Sequence, residues 1–239
     1  MVQTVPRDEA QRNAEAVPSA PAEVPIDPPT GQPTVTAEAD DGTLAGAARA
    51  AAGCRACHLW EPATQTVFGE GTVNARVLVV GEQPGDQEDL AGRPFVGPAG
   101  RMFDSALADL GIPRSELYVT NAVKHFKFEP RGKRRIHSKP NQMEIKACVP
   151  WLEREMALVG PEIVVMLGAT AARAVMGYSG AITRLRGRWL DLPNGRRGLA
   201  TVHPSFLLRL PDEAAKRENY AQFVADLRLL AEALGVAAR

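Results

Sequence analysis

One stretch of the sequence decides the fold: Arg76-Val-Leu-Val-Val80, followed directly by Gly81-Glu82-Gln83-Pro84-Gly85. The first of these runs is mostly apolar and β-branched, which predicts a buried strand. Glycine and proline then end the strand and open a loop in which the backbone can approach a ligand closely. A buried strand that ends in such a loop is typical of the parallel sheets of α/β proteins.

The rest of the chain repeats this pattern. We predict further strands at 117–123, 162–167 and 199–202, and helices at 101–110, 142–159, 169–176 and 211–234. Strands that alternate with helices form βαβ units. The sequence therefore predicts an α/β fold, a three-layer sandwich with a central four-stranded parallel sheet. Ligands are expected where the carboxyl ends of the strands meet, and the segments there are 81–85, Lys124-His125, Gly168-Ala169-Thr170 and His203-Pro204-Ser205.

Charge is distributed unevenly along the chain. The 239 residues include 28 basic and 28 acidic side chains, but residues 1–41 hold eight acidic residues, two arginines and seven prolines. The net charge of this segment is −6, and the remainder carries +6. A segment so rich in charge and proline cannot bury enough apolar surface to fold. We predict a disordered acidic, proline-rich tail at 1–42 and a single domain at 43–239.

A basic run, Lys133-Arg134-Arg135-Ile136-His137, lies in the polar segment 124–140, which we predict to be a loop. Consecutive cations attract a polyanion through Coulomb forces and counterion release. Histidine is the side chain that can act as a nucleophile, an acid or a base near neutral pH, once such an anion is held. The alternative is a solvated basic loop or a localisation signal without chemistry.

Three cysteines point to a metal site rather than to disulfides. Cys54 and Cys57 form a Cys-x-x-Cys turn, and Cys148 lies far along the chain. An odd number of cysteines without a signal peptide argues against a disulfide framework. Zinc and iron–sulfur sites usually have four ligands, and spacing favours His125 as the fourth. Spacing alone does not distinguish a zinc site from an iron–sulfur site. It also leaves open that the three cysteines are unrelated.

Several side chains near the predicted strand ends suit the binding of a base and the stabilisation of charge. Glu82 can orient a water or offset a developing positive charge, and Phe95 can stack on a base. Asn121 offers a donor and an acceptor that match the edge of a pyrimidine. His203 can donate to an oxyanion on a leaving group, and Ser205 can hold a phosphate. Each motif alone is also consistent with an ordinary turn, a core residue or a helix cap.

Taken together, the motifs resemble the uracil-DNA glycosylase superfamily, specifically its iron–sulfur, family-4-like branch. The matching elements occur in the family's order over about residues 50–232: Cys54-x-x-Cys57, Gly81-Glu82-Gln83-Pro84-Gly85, Gly92-Arg93-Pro94-Phe95-Val96-Gly97, Thr120-Asn121-Ala122-Val123-Lys124, Cys148-x-Pro150-Trp151-Leu152 and His203-Pro204-Ser205. Each element is weak alone, but the set is specific. The resemblance implies recognition of uracil in DNA and cleavage of its N-glycosidic bond.

Three features depart from ordinary family-4 enzymes and are similar to the UdgX subfamily, which binds uracil-containing DNA covalently. His125 stands where those enzymes have a cysteine, Gln83 where they have an alanine, and the loop with the basic run is an insertion. The resemblance implies a structural [4Fe-4S] cluster on Cys54, Cys57, His125 and Cys148. The expected site comprises His137 as nucleophile with Glu82 and His203 as further catalytic groups, a substrate-binding set of Gly81, Gln83, Asp86, Phe95, Asn121 and Ser205, and Lys133, Arg134 and Arg135 on the DNA phosphates.

Other functions remain open at this point. One alternative is an ordinary hydrolytic uracil-DNA glycosylase, and another is a non-catalytic, zinc-stabilised DNA-binding domain. A nucleotide enzyme on a Rossmann-like sheet is disfavoured because the dinucleotide fingerprint is missing. We expect a monomer that binds uracil-containing DNA, with single strands preferred. No stretch approaches the roughly 18 apolar residues of a membrane span, so we expect a cytoplasmic protein without membrane contacts.

Overall fold

A six-stranded sheet forms the centre of the structure, a computed structural model that describes residues 40–236. The strands of this region are β1 (Glu70–Gly71), β2 (Val77–Gly81), β3 (Leu117–Asn121), β4 (Phe128–Arg131), β5 (Arg134–His137), β6 (Ile163–Leu167), β7 (Trp189–Asp191) and β8 (Arg197–Thr201). The main sheet has the order β1-β3-β2-β6-β8-β7. Its four inner strands are parallel and its two edge strands antiparallel. The remaining two strands pair with each other as a separate hairpin.

Helices cover both faces of the main sheet because its inner strands are apolar on both sides. They are α1 (Leu44–Ala52), α2 (Asp86–Ala91), α3 (Pro98–Asp109), α4 (Gln142–Val159), α5 (Ala169–Met176), α6 (Pro204–Leu208) and α7 (Glu213–Leu234). Along β2, Val77 and Val79 pack in the layer of α3 and α7, whereas Leu78 and Val80 pack in the layer of α4 and α5. This alternation follows from the two-residue period of a strand. The predicted three-layer α/β sandwich is confirmed.

The main sheet is wider than the sequence predicts. The four predicted parallel strands are present as β2, β3, β6 and β8, but the prediction misses both edge strands and the short helices α2 and α6. The edge strands have two and three residues. Segments this short show no alternation of apolar and polar residues, which is the signal on which a strand prediction depends.

Segment 124–140 is not the loop that its polar composition predicts. Within it, β4 and β5 pair antiparallel, with Phe128 opposite His137 and Arg131 opposite Arg134. Gly132, at φ +60°, opens the two-residue turn, a conformation that glycine adopts easily. The strands of this hairpin are mostly partly or fully exposed, so their sequence lacks the apolar alternation of an ordinary strand. The catalytic candidate His137 is the last residue of β5.

Residues 40–42, the first that the structure describes, contact the domain that is predicted to begin at residue 43. The guanidinium of Arg154 on α4 donates hydrogen bonds of 2.8 and 2.9 Å to the carboxylate of Asp40. Thr43 caps α1 by accepting the N–H of Gly46. Residues 40–42 therefore belong to the domain, while residues 1–39 of the predicted tail lie outside the described residues. Within the described part of the chain, no helix is long and apolar enough to cross a membrane.

A buried ion pair joins the end of β3 to α4. Lys124 Nζ lies 2.5 Å from Glu155 Oε2, and both side chains are excluded from solvent. The ammonium also donates to Thr120 Oγ1 and to the backbone carbonyl of Asn121, each at 2.7 Å. Glu155 accepts further hydrogen bonds from the hydroxyls of Tyr118 and Thr120 and from the N–H of Gly69. All three ammonium protons have acceptors, which a buried charge requires.

We expect Lys124→Met to destabilise the fold strongly, because it leaves Glu155 buried without a cation. Removal of one partner from a buried ion pair costs about 3–5 kcal/mol. The urea midpoint should fall by roughly 1–2 M for an m value of about 2–3 kcal/mol/M. Lys124→Met/Glu155→Met removes both charges and should recover most of this loss in urea unfolding followed by circular dichroism. Equal midpoints for the single and double variants would contradict the importance of the pairing.

Candidate active site

A pocket opens at the carboxyl ends of the inner strands. Its cavity of about 170 Å³ is smaller than the roughly 300–1,000 Å³ of pockets for drug-sized ligands, so it suits one small group. The lining residues are Glu82, Gln83, Gly85, Glu88, Phe95, Ala99, Asn121, His137, His203, Ser205 and Arg209. The structure thus brings together seven residues of the predicted site: Glu82, Gln83, Phe95, Asn121, His137, His203 and Ser205.

Glu82 and His137 face each other in this pocket. Glu82 Oε1 lies 3.3 Å from His137 Nε2, and Thr170 Oγ1 donates a hydrogen bond of 2.5 Å to Glu82 Oε2. Burial raises the pKa of Glu82, but hydrogen bonds from His137 and Thr170, together with the nearby His203, outweigh burial and lower it to about 2. Glu82 is therefore a carboxylate at neutral pH, held beside a partly exposed imidazole.

His203 caps α6 in one neutral tautomer. Its Nδ1 accepts the backbone N–H of Ser205 at 3.2 Å, so the ring proton resides on Nε2. Burial lowers the pKa of His203 to about 4, against an opposing effect of Glu82, and the ring is neutral at pH 7. The Nε2–H is left as a donor for a ligand. Ser205 contacts His203 with its hydroxyl as well, at 2.8 Å.

Phe95 and Asn121 approach each other across Gly81. A Cβ at Gly81 would overlap Asn121 Oδ1 and lie 2.7 Å from the Phe95 ring, so the close approach requires glycine at the end of β2. Phe95 has a φ of +59°, which is uncommon for an aromatic residue and is found mainly where function imposes it. Its ring lines the pocket on one side and packs 5.8 Å from Phe103 on the other.

Glu88 ties together the two loops that form one wall of the pocket, and the sequence analysis misses it. Its buried carboxylate accepts the N–H of Gly85 and the N–H of Gly97 at 3.1 Å. These glycines precede α2 and α3, whose first N–H groups attract a negative charge. The available signal was a glutamate three residues after a cap position, as in a capping box. Its bond to the second loop becomes visible only in the fold.

Gln83 lines the pocket, and its side-chain amide forms hydrogen bonds with the residues on either side of the hairpin. Its Nε2 donates to the carbonyls of Lys127 and Ser138 at 3.0 and 3.1 Å, and its Oε1 accepts the N–H of Lys127 at 3.3 Å. Lys127 and Ser138 flank the hairpin on either side. Both amide protons are therefore used within the protein, and the contact of Gln83 with uracil that the resemblance implies stays a prediction. Gln83 supports the hairpin that carries His137.

Arg135 and Asp86 contact each other in the structure. The Arg135 guanidinium donates hydrogen bonds of 2.6 Å to Asp86 and to the buried Asp89. It also lies over the rings of Phe126 and Phe128. These contacts hold the guanidinium on α2. Arg135 therefore anchors the hairpin, and the predicted contacts of Arg135 with phosphates and of Asp86 with substrate stay predictions. The physical reason for the anchor is the fully buried carboxylate of Asp89, which needs a cationic partner.

Lys133 and Arg134 are the two cations of the basic run that stay exposed. Lys133 lies in the turn of the hairpin and Arg134 begins β5. Neither makes an ion pair with any residue that the structure describes. Their predicted contact with phosphates stays a prediction.

The four predicted metal ligands lie in one region beside α1 and α4. Cys54 and Cys57 pack against the apolar cluster that contains the buried Cys148, and all three are free thiols. Burial is the main cause that raises the pKa of Cys148 to about 12, against an opposing effect of Lys124 and with smaller contributions from Cys54 and Cys57. Burial also lowers the pKa of His125 to about 4. Within residues 40–236, no three His, Cys, Asp or Glu side chains converge closely enough for a single metal ion.

The surroundings of these ligands fit a group that accepts hydrogen bonds and stabilises thiolates. The N–H of Lys124 donates to Cys148 Sγ at 3.2 Å, and hydrogen bonds to sulfur are a feature of iron–sulfur sites. Thr66 Oγ1 lies 2.8 Å from His125 Nε2 and orients the ring. Trp151 Nε1 is buried in the same cluster without a partner among the described residues. The donor set and the unpaired indole N–H therefore fit a soft metal centre.

Two more pocket contacts escape the sequence analysis. Thr170 is noted there only as a residue that follows a strand, yet its hydroxyl holds Glu82. Arg209 lines the pocket, and its guanidinium donates to Ser205 Oγ at 3.1 Å. Neither position shows a charge pattern or motif that sequence alone ties to the other pocket residues.

The family assignment agrees with this geometry. A profile of the Uracil DNA glycosylase superfamily matches residues 68–228, about two thirds of the chain, including every residue that lines the pocket. The chain belongs to the uracil DNA glycosylase superfamily.

Relatives within this superfamily include enzymes named as type 4 and type 5. The type-4 uracil-DNA glycosylase of Thermotoga maritima is 40% identical over 157 residues, which cover 65% of this chain and 78% of the relative. That of Archaeoglobus fulgidus is 33% identical over 174 residues, with 70% and 82% covered. The type-5 uracil-DNA glycosylase of Thermus thermophilus is 33% identical over 159 residues, with 58% and 68% covered.

In this uracil DNA glycosylase superfamily member, we expect Arg135→Gln to loosen the hairpin. Hydrogen bonds to charged groups contribute about 1.5–3 kcal/mol each, so amide exchange across residues 127–138 should accelerate by about tenfold or more. Hydrogen–deuterium exchange with mass spectrometry measures this change. Arg134→Gln is the matched control and should leave exchange unaltered, because Arg134 has no carboxylate partner. The same exchange rate in the two variants would refute the anchor.

Proposed function

We propose that this protein excises uracil from DNA and then holds the abasic deoxyribose covalently through His137. The observation that carries the proposal is the position of His137, whose Nε2 faces the Glu82 carboxylate inside the pocket at 3.3 Å. The type-4 relatives are named for uracil excision. The imidazole of His137 beside the Glu82 carboxylate is a nucleophile that can compete with water. A pocket without such a side chain would leave water as the nucleophile.

The pocket suits a base that has left the helical stack. A glycosylase reaches its target only after the nucleotide is flipped out or in single-stranded DNA. Phe95 provides an aromatic face, and Asn121 provides a donor and an acceptor for the edge of the base. Lys133 and Arg134, exposed on the hairpin, are placed to contact phosphates. We propose a monomer with single strands as the preferred substrate.

Cleavage requires stabilisation of two opposite charges. When the bond between C1′ and uracil N1 breaks, the electron pair leaves with uracil and the sugar becomes an oxocarbenium ion. The neutral His203 donates its Nε2–H to the uracil anion, an interaction of the oxyanion-hole type, in which loss of one donor typically costs about 10²–10³ in rate. Glu82, a carboxylate with a pKa of about 2, stabilises the positive sugar.

The sugar cation is then captured by His137 instead of water. A lone pair of the neutral imidazole forms a bond to C1′, and the ring becomes a cation that Glu82 stabilises, as a carboxylate does for imidazolium in hydrolytic triads. The ring releases its N–H proton to solvent, and the uracil anion takes up one proton from solvent. Once the ring has lost its N–H proton, its departure from C1′ would give an imidazolide anion, a poor leaving group, so the enzyme remains attached after about one turnover.

We expect a complex with uracil-containing single-stranded DNA that survives heat and detergent on a denaturing gel. His137→Ser should abolish this complex and permit multiple turnovers of uracil release, because water then reaches C1′. Ser138→Ala, next along the chain, leaves the imidazole in place and should retain the complex. A complex that persists in His137→Ser would identify another nucleophile. Uracil release without any complex in the wild type would favour the hydrolytic alternative.

We further propose that Cys54, Cys57, His125 and Cys148 hold a [4Fe-4S] cluster. Two observations support this proposal. The donor set consists of three thiols and one neutral imidazole, and the N–H of Lys124 donates a hydrogen bond to the sulfur of Cys148. The bound cluster would supply folding energy and charge compensation for the thiolates. The residues of the pocket carry out the reaction without it.

The purified protein should be brown, with broad visible absorption and about four irons per chain if all the cluster sites are filled. Cys148→Ser removes a ligand and should bleach the absorption and lower the iron content. Ala147→Ser, the preceding residue on α4, is the matched control and should keep both. A colourless protein that contains zinc would overturn the cluster and favour the zinc-stabilised DNA-binding alternative.

A further inference from the structure

The first turn of α5, with its cap Gly168, lies against two groups of the proposed chemistry, Glu82 and His203. We propose that this turn is a positioning element, in which Thr170 holds the carboxylate of Glu82 in the orientation that the reaction needs. This inference rests on the proposed function for one point, which is that Glu82 acts on the sugar. It assigns a role to a residue that is not among those that line the pocket.

The two carboxylate oxygens of Glu82 have different partners, and Thr170 binds one of them. Its hydroxyl donates to Oε2 at 2.5 Å, while Oε1 faces His137 Nε2 at 3.3 Å. Thr170 is buried and belongs to a regular helix packed on the sheet. The hairpin that carries His137 is separate from the main sheet. One oxygen is therefore fixed by the rigid body, and the other is left for the reacting groups.

The backbone of the same turn sets the distance to His203. Gly168 has a φ of +90°, and a Cβ there would lie 3.0 Å from the Cβ of His203. Its N–H donates to the carbonyl of Thr201 at 2.9 Å, which ties the turn to the end of β8. Glycine thus permits the helix to begin directly beside β8. The geometry places one element against both Glu82 and His203.

The polar groups that line the pocket do not replace Thr170. His137 approaches from β5, His203 from the start of α6, and Arg209 from its end. Glu88 approaches from α2, but its oxygens accept backbone N–H groups. Among the described residues, Thr170 is the neutral donor to the Glu82 side chain. Without it, both oxygens of Glu82 are free to turn towards His137.

The test compares Thr170→Val, which keeps the shape, with Thr170→Ser, which keeps the hydroxyl. We expect Thr170→Val to slow single-turnover uracil release about tenfold at neutral pH, because a hydrogen bond to a charged group is lost. The hydroxyl lowers the pKa of Glu82, so its removal raises that pKa. The carboxylate then protonates at a higher pH than in the wild type, and the deficit grows once the pH falls towards that raised pKa, above the wild type's pKa of about 2. Thr170→Ser should stay within about threefold of the wild type at every pH.

Two readouts separate positioning from general damage. Binding to single-stranded DNA that carries 2′-fluoro-deoxyuridine, which resists cleavage, should stay within about twofold in Thr170→Val. A carbon-13 NMR titration of labelled glutamate, assigned with Glu82→Gln, should show Glu82 titrating at a higher pH in Thr170→Val than in the wild type. This titration decides the role of Thr170 even if the wild type releases no uracil or forms no adduct, which would count against the proposed function alone. An unmoved titration, or a Thr170→Ser rate as low as that of Thr170→Val, overturns the inference.

Discussion

The buried pair of Lys124 and Glu155 is the interaction on which the arrangement of the site depends. Two opposite charges excluded from water are tolerated only where every polar atom has a partner. Lys124 satisfies this condition by folding back on its own strand end, where it holds the Asn121 carbonyl. Its backbone N–H meanwhile contacts Cys148, and the next residue is His125. A single lysine thus fixes the carbonyl of Asn121, a residue that lines the pocket, and the region that is proposed to hold the cluster. Because Glu155 also accepts hydrogen bonds from β3 and from Gly69, loss of the pair would loosen these contacts together.

The pocket combines groups with two kinds of support. Glu82, Asn121 and His203 stand at the ends of buried parallel strands, where packing on both faces leaves little freedom. His137 stands on a two-stranded hairpin, and an isolated hairpin is marginally stable in water. The hairpin is held by Gln83 at its base and by Arg135 along its side. The groups proposed to stabilise charge therefore stand on the rigid part of the molecule, and the proposed nucleophile stands on an element held by polar contacts. This division suits the proposed reaction, in which the bond to uracil breaks before the sugar is captured.

The sequence predicts the strands and helices that follow a regular apolar pattern. It does not predict the features that depend on contacts between residues far apart in the chain. Buried β-branched runs such as 76–80 announce the inner strands, and the edge where they end locates Glu82, Asn121 and His203. The hairpin is missed because its polar residues do not alternate with apolar ones. Arg135 and Gln83 are given contacts with DNA and uracil because sequence reveals their chemistry but not their partners. The partner of Arg135 is Asp89, a carboxylate buried beneath the hairpin. The spacing of the two residues in the sequence does not predict that they meet. Thr170 carries no charge, so its importance arises only from its distance to Glu82.

Gln83, Arg135 and Asp86 share one feature, because each belongs to the hairpin or is hydrogen-bonded to it or to its flanking residues. Gln83 and the hairpin are also features that the resemblance sets apart from the ordinary family-4 pattern. An inserted nucleophile is useful only if it rests close to C1′, because a misplacement of about 1 Å can cost about 10²-fold in rate. A polar hairpin cannot achieve that position by burying apolar surface, so it needs directional hydrogen bonds from the body of the protein. Replacement of a small residue by Gln83 next to Glu82 supplies three such bonds at the base of the hairpin. Gln83 and His137 therefore form one functional unit, and neither is expected to confer covalent capture in the absence of the other.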